Sequence, residues 1–266
     1  MLILLTNDDG VQAEGLTALY EVLAERHDVL VVAPDRERSG SSHAITVFQP
    51  LMVHRTHIGR PDSSSRATEA WAVHGTPADC VKLAVASLLP QKPDLVVSGI
   101  NRGPNLGTDV FYSGTVSAAI EAVILGFPAV AVSLAAFSDL DYSFAAEVTA
   151  YLGEMVRRRG LPANTLLNVN VPATAREAVA GIRVTRLSGH KWHDTFEERA
   201  DPRGHSYFWL VGEPLTTEAE PGTDLEAIRD NCVSVTPVHL DLTHHSIMEE
   251  LGGWNLSLDE LTTSDT

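Results

Sequence analysis

The chain has 266 residues, 44% of them hydrophobic and 20% charged, which suits one large α/β domain or a domain with a smaller appendage. Its 35 acidic against 19 basic side chains give a formal net charge of −16. That balance argues against duplex nucleic acid or an anionic membrane as partner, and a small anionic ligand would need local help from a cation or backbone NH groups. Cys80 and Cys232 form no CxxC pair, so both are expected to be small buried hydrophobes. No apolar run is long enough to span a bilayer, and the apolar start reaches Asp8 too soon for a secretory leader, so the cytoplasm is the expected compartment.

Leu2-Ile3-Leu4-Leu5-Thr6 reads as a strand buried on both faces of a parallel sheet. It ends in Asn7-Asp8-Asp9-Gly10, with two adjacent carboxylates where α/β sheets place their ligands. A divalent cation would hold such like charges together, although the same residues also make an ordinary solvated turn. Leu16, Leu19, Tyr20 and Leu23 then mark one face of a helix, and Val29-Leu30-Val31-Val32-Ala33 is a second buried strand, stopped by Pro34. Strand, helix and strand in so short a span make a βαβ unit. Residues 44–53 read as extended, and 56–68 as an exposed polar excursion.

Thr76-Pro77-Ala78-Asp79 has the signature of a helix start, and that helix should run to about Leu89. Asp94-Leu95-Val96-Val97-Ser98 is a third strand, followed by a loop rich in Gly and Asn. Ser113-Gly114-Thr115 opens a helix of small residues, and Ala129-Val130-Ala131-Val132-Ser133-Leu134 is a fourth strand. Asp141 can cap the next helix, whose basic end, Arg157-Arg158-Arg159, complements the helix dipole. Residues 166–171 form a further strand. After Pro172 the rhythm changes: 182–186, 206–211 and 233–236 look like strands without helices between them, a smaller β-rich region suited to packing on another subunit. A last helix is expected over residues 244–251, with a disordered tail from Thr262.

Several strand-end loops should converge on one crevice, offering carboxylates, hydroxyls, carboxamides and a free helix start. Oxygen donors without a Cys or His cluster suit Mg²⁺ or Mn²⁺ rather than structural zinc. Ser113-Gly114-Thr115 can cradle a phosphate on unpaired NH groups, although Ser113 also reads as a simple N-cap. Asn101 and Asn105 serve equally as turn formers when each is taken alone. No GxxxxGK loop, GxGxxG fingerprint or GxSxG elbow is present. His43 could act as a base but more often such a residue is structural. His190 and His193 read as an exposed loop, and the His244-His245 pair as a helix start.

Taken together, five motifs resemble the SurE family: Asn7-Asp8-Asp9-Gly10, Ala33-Pro34-Asp35-Arg36-Glu37-Arg38-Ser39-Gly40, Gly75-Thr76-Pro77-Ala78-Asp79-Cys80, Ser98-Gly99-Ile100-Asn101-Arg102-Gly103-Pro104-Asn105 and Tyr112-Ser113-Gly114-Thr115. The resemblance extends to Asn168-Val169-Asn170-Val171-Pro172 and Val233-Ser234-Val235-Thr236-Pro237, and so covers nearly the whole chain. It implies a metal-dependent phosphomonoesterase acting on nucleoside monophosphates, a 5'/3'-nucleotidase. The implied fold is α/β: a Rossmann-like three-layer core with a mostly parallel sheet, a smaller β-rich arm and a swapped C-terminal segment. The division would be a catalytic core over 1–172, with an excursion at about 54–70, and a hairpin arm and oligomerisation segment over 173–266. By the same resemblance Asp8, Asp9, Ser39 and Asn101 would hold one Mg²⁺ or Mn²⁺. Asp8, Asp9 and Asn101 would be catalytic, Asn105, Ser113, Gly114 and Thr115 would meet the phosphate, and the protein would be a homodimer or homotetramer. A non-catalytic nucleotide sensor using the same crevice is the alternative.

Overall fold

The computed structural model describes residues 1–59, 68–189, 192–214 and 219–258. Its strands are β1 (Leu2–Thr6), β2 (Asp28–Pro34), β3 (Met52–Ile58), β4 (Thr68–His74), β5 (Leu95–Arg102), β6 (Ala129–Ala135), β7 (Thr165–Pro172), β8 (Gly181–Val184), β9 (Trp192–Ala200), β10 (Ser206–Pro214) and β11 (Cys232–His239). Its α-helices are α1 (Glu14–Ala24), α2 (Pro77–Leu83), α3 (Gly114–Ile124), α4 (Ser143–Arg159), α5 (Asp224–Arg229) and α6 (His245–Gly252).

Strand β1 is buried along its whole length, and its side chains alternate between two apolar layers as the pleat requires. Ile3 and Leu5 join Leu16 and Leu19 of α1 and Val148 and Leu152 of α4, while Leu4 faces Val81 of α2 and Val116 and Ala119 of α3. Three layers follow, with a nine-stranded sheet in the middle, ordered β3-β4-β2-β1-β5-β6-β7-β11-β8. From β4 through β7 the neighbours run parallel, whereas β3 and β11 pair antiparallel at the flanks. The chain winds outward from β1 to β2 and β4, then returns to β5 on the other side of β1. The carboxyl ends of β1 and β5 therefore flank the switch point at which such sheets open a crevice. The mostly parallel α/β core expected from the sequence is present.

Several local expectations change. Residues 44–51 are irregular rather than extended, because the start of α2 claims them: Thr76 Oγ1 donates to Ala44 O at 2.7 Å, and Thr46 N donates to Asp79 Oδ1 at 2.8 Å. The expected excursion at 56–68 includes the end of β3 and the start of β4, and residues 60–67 lie outside the described residues. Strand β5 continues past Ser98 to Arg102, with Ile100 fully buried and a cis peptide between Gly99 and Ile100. The late β-rich region contains one short helix, α5, capped by Thr223. The stretch expected to be an exposed loop at 189–194 runs into β9, which pairs with β10 as a separate two-stranded ribbon; His190 lies outside the described residues, as does the tail from Thr262. Change of rhythm after Pro172 marks where the sheet turns antiparallel, and β8 and β11 extend that same sheet. Both cysteines are free and buried.

Candidate active site

The loop after β1 places Asp8 and Asp9 at the switch point. Asn7 steadies it, donating from Nδ2 to Gly10 O at 2.9 Å and accepting from Gly10 N at 3.2 Å. The loop after β2 joins it through Arg38 N, which donates to Asp8 O at 2.7 Å and sets Ser39 beside the carboxylates. That second loop is fastened in turn by Ser42, whose N donates to Tyr112 O at 3.1 Å and whose Oγ donates to Phe111 O at 2.7 Å. The end of β5 closes the third side, where Arg102 N donates to Asp9 Oδ2 at 3.0 Å.

Helix α3 points its amino end at this junction. Ser113 caps it by accepting from Val116 N at 3.1 Å, which leaves the NH groups of Gly114 and Thr115 as the open donors of the first turn. Glycine is required at position 114, since a Cβ there would sit 2.8 Å from Asp8 Cβ, 2.9 Å from Asp8 Oδ2 and 3.1 Å from Ser41 Oγ. Thr115 is fully buried, and its hydroxyl donates to Asp8 Oδ1.

Together these elements line a cleft of about 970 Å³ that includes Asp8, Asp9, Ser39, Asn101, Asn105 and Ser113. Gly114 and Thr115 stand immediately behind it, so the residues singled out from the sequence are brought to one place. Asn105 is held most firmly. Its N donates to Asn170 Oδ1 at 2.8 Å, its Nδ2 donates to Ser133 Oγ at 2.7 Å, and its carbonyl accepts from Asn168 Nδ2 at 2.9 Å and Asn170 Nδ2 at 3.0 Å. One amide hydrogen is committed to Ser133, and the second is available to a ligand.

The electrostatics of the cleft call for positive charge. Burial pushes the Asp8 carboxyl up to about 6; the Thr115 hydrogen bond opposes this and the charge of Asp9 adds to it. Burial also raises Asp9, against the Arg102 backbone donor. The donor chemistry fits a hard divalent cation. One oxygen of Asp8 is held by Thr115 and one of Asp9 by Arg102, which leaves the second oxygen of each for a ligand. Asn101 Nδ2 donates to Gly103 O at 2.8 Å, freeing its carbonyl oxygen from scaffold duty. Ser39 Oγ donates to Glu37 Oε1 at 2.7 Å, and a hydroxyl that gives its proton to a carboxylate keeps its lone pairs for a cation. Among the described residues no group of three His, Cys, Asp or Glu side chains is placed to hold a metal ion by itself; this set differs in that two of its four donors are neutral oxygens, a combination suited to Mg²⁺ or Mn²⁺.

Other candidates stand apart. His43 Nε2 lies 3.0 Å from Glu121 Oε2 on α3, and Lys82 Nζ lies 2.6 Å from Glu121 Oε1, so His43 braces the loop from outside the cleft. His244 caps α6. Arg157 and Arg158 both pair with Glu154, in keeping with a cap and not a nucleic-acid patch. A larger hollow, about 1270 Å³, opens at the opposite end of the sheet, by the starts of β1, β5 and β6. Several of its charges are paired within the fold: Asp94 Oδ2 accepts from Leu2 N at 2.8 Å, Glu147 pairs with Arg176, and Glu154 with Arg157 and Arg158.

Sequence reasoning quoted Asn168 and Asn170 only as part of a motif and gave no role to the shelf they form with Ser133 beneath Asn105. The signal was polar residues at alternate positions of otherwise apolar strands, which line one face. It also missed Phe137, Leu210 and Gly212, which complete the cleft wall.

A family model described as Survival protein SurE matches residues 3–194. The chain belongs to the SurE family. A 5'-nucleotidase SurE of Heliobacterium modesticaldum is 51% identical over 254 residues, 96% of this chain and 92% of that protein. A 5'-nucleotidase SurE of Symbiobacterium thermophilum is 50% identical, covering 96% of this chain and 99% of its own. The crystal structure of the SurE protein from Aquifex aeolicus superposes with a TM-score of 0.81 at 40% identity, over 96% of this chain and 99% of that one. Membership in SurE was legible in the five motifs; four of them supply residues to the cleft or its rim, and the fifth, Gly75 to Cys80, starts α2 and holds residues 44–46. No helix among the described residues is long and apolar enough to cross a membrane.

Proposed function

We propose that this SurE chain hydrolyses nucleoside 5'-monophosphates, with 3'-monophosphates as further substrates, and does so with one divalent cation. The observation that carries this reading is the meeting of the β1, β2 and β5 loops at the switch point, opposite the open amino end of α3. The names of the relatives support the substrate class.

Asp8, Asp9, Ser39 and Asn101 would hold the Mg²⁺ or Mn²⁺. Such an ion, when bound, polarises a phosphoryl oxygen and positions or acidifies a water. Asn105, through its second amide hydrogen, and the NH groups of Gly114 and Thr115 donate to the equatorial phosphoryl oxygens, where charge gathers in the transition state. Thr115 keeps Asp8 in place, and a carboxylate of the Asp8–Asp9 pair, Asp9 first, would take the proton of the attacking water when it is not engaged as a ligand. Local positive charge and oriented NH groups thus admit an anion to a protein with a net charge of −16.

We propose a homodimer or homotetramer, located in the cytoplasm. The β9–β10 ribbon exposes Phe196, Phe208 and Trp209, and α6 with its flanks exposes Ile247, Met248 and Trp254, with no buried residue in the helix. An isolated two-stranded ribbon with bare aromatics is marginal in water, and a second copy would cover it. Free cysteines suit a reducing compartment.

The test is free phosphate released from a panel of nucleoside 5'- and 3'-monophosphates with Mg²⁺, Mn²⁺ or excess chelator. Release that needs a cation supports the reading. Tight nucleotide binding without release would instead favour the sensor.

A further inference from the structure

The cleft is larger than a phosphate needs, and its far wall is apolar. Beyond the carboxylates it is lined by Phe137, from the loop after β6, and by Leu210 and Gly212 of β10. The Phe137 ring lies against the loop that carries Asn101 and Asn105. A Cβ on Gly103, which has φ +99°, would fall 2.4 Å from Phe137 Cε1 and 2.9 Å from Cζ, so glycine is what lets the ring settle there. Gly103 N donates to Leu134 O at 3.0 Å, fixing this loop to the end of β6 from which Phe137 departs. The ring is nonetheless 67% exposed, and Leu210 is 59% exposed. Leu210 and Gly212 occupy alternate positions of β10 and so share one face of the ribbon.

An anion-binding end joined to an open aromatic wall matches an amphiphilic ligand. We propose that Phe137 is the stacking platform for the nucleobase, with Leu210 of the ribbon covering the base from the other side. This rests on the phosphatase reading and adds to it a determinant of substrate choice. Stacking reads the π-face of a base, not its hydrogen-bonding edge, so it tolerates every base and grows with ring area. The order of kcat/KM is then purine nucleotide, pyrimidine nucleotide, and last a sugar phosphate without a base.

The experiment measures kcat and KM for AMP, CMP and ribose 5-phosphate in the wild type, Phe137→Ala, Phe137→Tyr and Leu210→Ala. For Phe137→Ala, kcat/KM with AMP falls about tenfold, mainly through KM, as expected for one lost stack; CMP falls less, and ribose 5-phosphate stays within twofold. Phe137→Tyr restores AMP turnover, and Leu210→Ala gives a smaller loss of the same pattern. Ribose 5-phosphate serves as the internal measure of folded enzyme. An equal loss on all three substrates, no loss at all, or a wild type that cleaves ribose 5-phosphate as efficiently as AMP overturns the platform while leaving the hydrolase reading intact. A wild type that releases phosphate from none of the three overturns the hydrolase reading, and the platform with it.

Discussion

Replacing Asp8 with Asn should make the chelated protein more stable while destroying its affinity for metal. Asp8 is only 4% exposed, and burial lifts its carboxyl from the ordinary 3.8 to about 6. At about 1.4 kcal/mol per pKa unit, the ionised form costs the fold ~3 kcal/mol near neutral pH when no cation is present. Asparagine keeps an acceptor for the Thr115 hydroxyl, and the charge-assisted part of that bond is already contained in the net rise. The net gain is therefore about 3 kcal/mol, or roughly 6–12 °C in Tm for a chain of this size. The sign follows from proton binding. Between about pH 4 and 6 the native state holds more protons at Asp8 than the unfolded chain does. Stability from this group thus falls as pH rises through that window and stays low above it. Thermal unfolding in chelator, at fixed protein concentration, should show the variant and wild type alike below pH 4 and separating up to pH 6. Adding Mn²⁺ should reverse the order, because only the wild type gains stability from binding. A variant less stable than wild type in chelator at pH 7.5, or one stabilised equally by Mn²⁺, would refute the reasoning.

Gly114→Ala places a methyl 2.8 Å from Asp8 Cβ and should lower phosphate release about a hundredfold or more with the fold retained, checked by kinetics beside circular dichroism. Thr115→Val removes the donor on Asp8; calorimetric titration with Mn²⁺ should show affinity down by about tenfold or more, and Thr115→Ser should recover most of it. Arg102 borders the cleft with its guanidinium 3.8 Å from Glu37. Because its backbone NH serves Asp9, Arg102→Ala should raise KM severalfold and leave kcat nearly unchanged, whereas a matching loss of kcat would put its side chain in the chemistry. Removal of residues 241–266, which include the exposed α6, should lower the oligomer mass seen by light scattering.

The core was legible because β1 and β2 are continuous apolar runs and α1 repeats Leu at helical spacing, signals that only burial explains. The site was legible because its polar residues interrupt those runs at strand ends, as Asp8 and Asp9 do. What escaped detection lacked such contrast. β4 buries Ala70 and Ala72, which are small and carry little strand preference. β9 is largely charged and exists through its pairing with β10, a partner no local pattern announces. Phe137 gave no signal because its importance comes from resting on Gly103, 34 positions earlier in the chain, and long-range contact of this kind leaves no periodic trace.

The central claim is that one divalent cation is gripped by three converging loops. Anomalous scattering from crystals soaked in Mn²⁺ tests it most directly. The account predicts a single strong peak about 2.0–2.3 Å from carboxylate oxygens of both Asp8 and Asp9, with Ser39 Oγ and Asn101 Oδ1 completing the protein donors. A peak elsewhere, or well-ordered carboxylates with no manganese between them at saturating concentration, would contradict it.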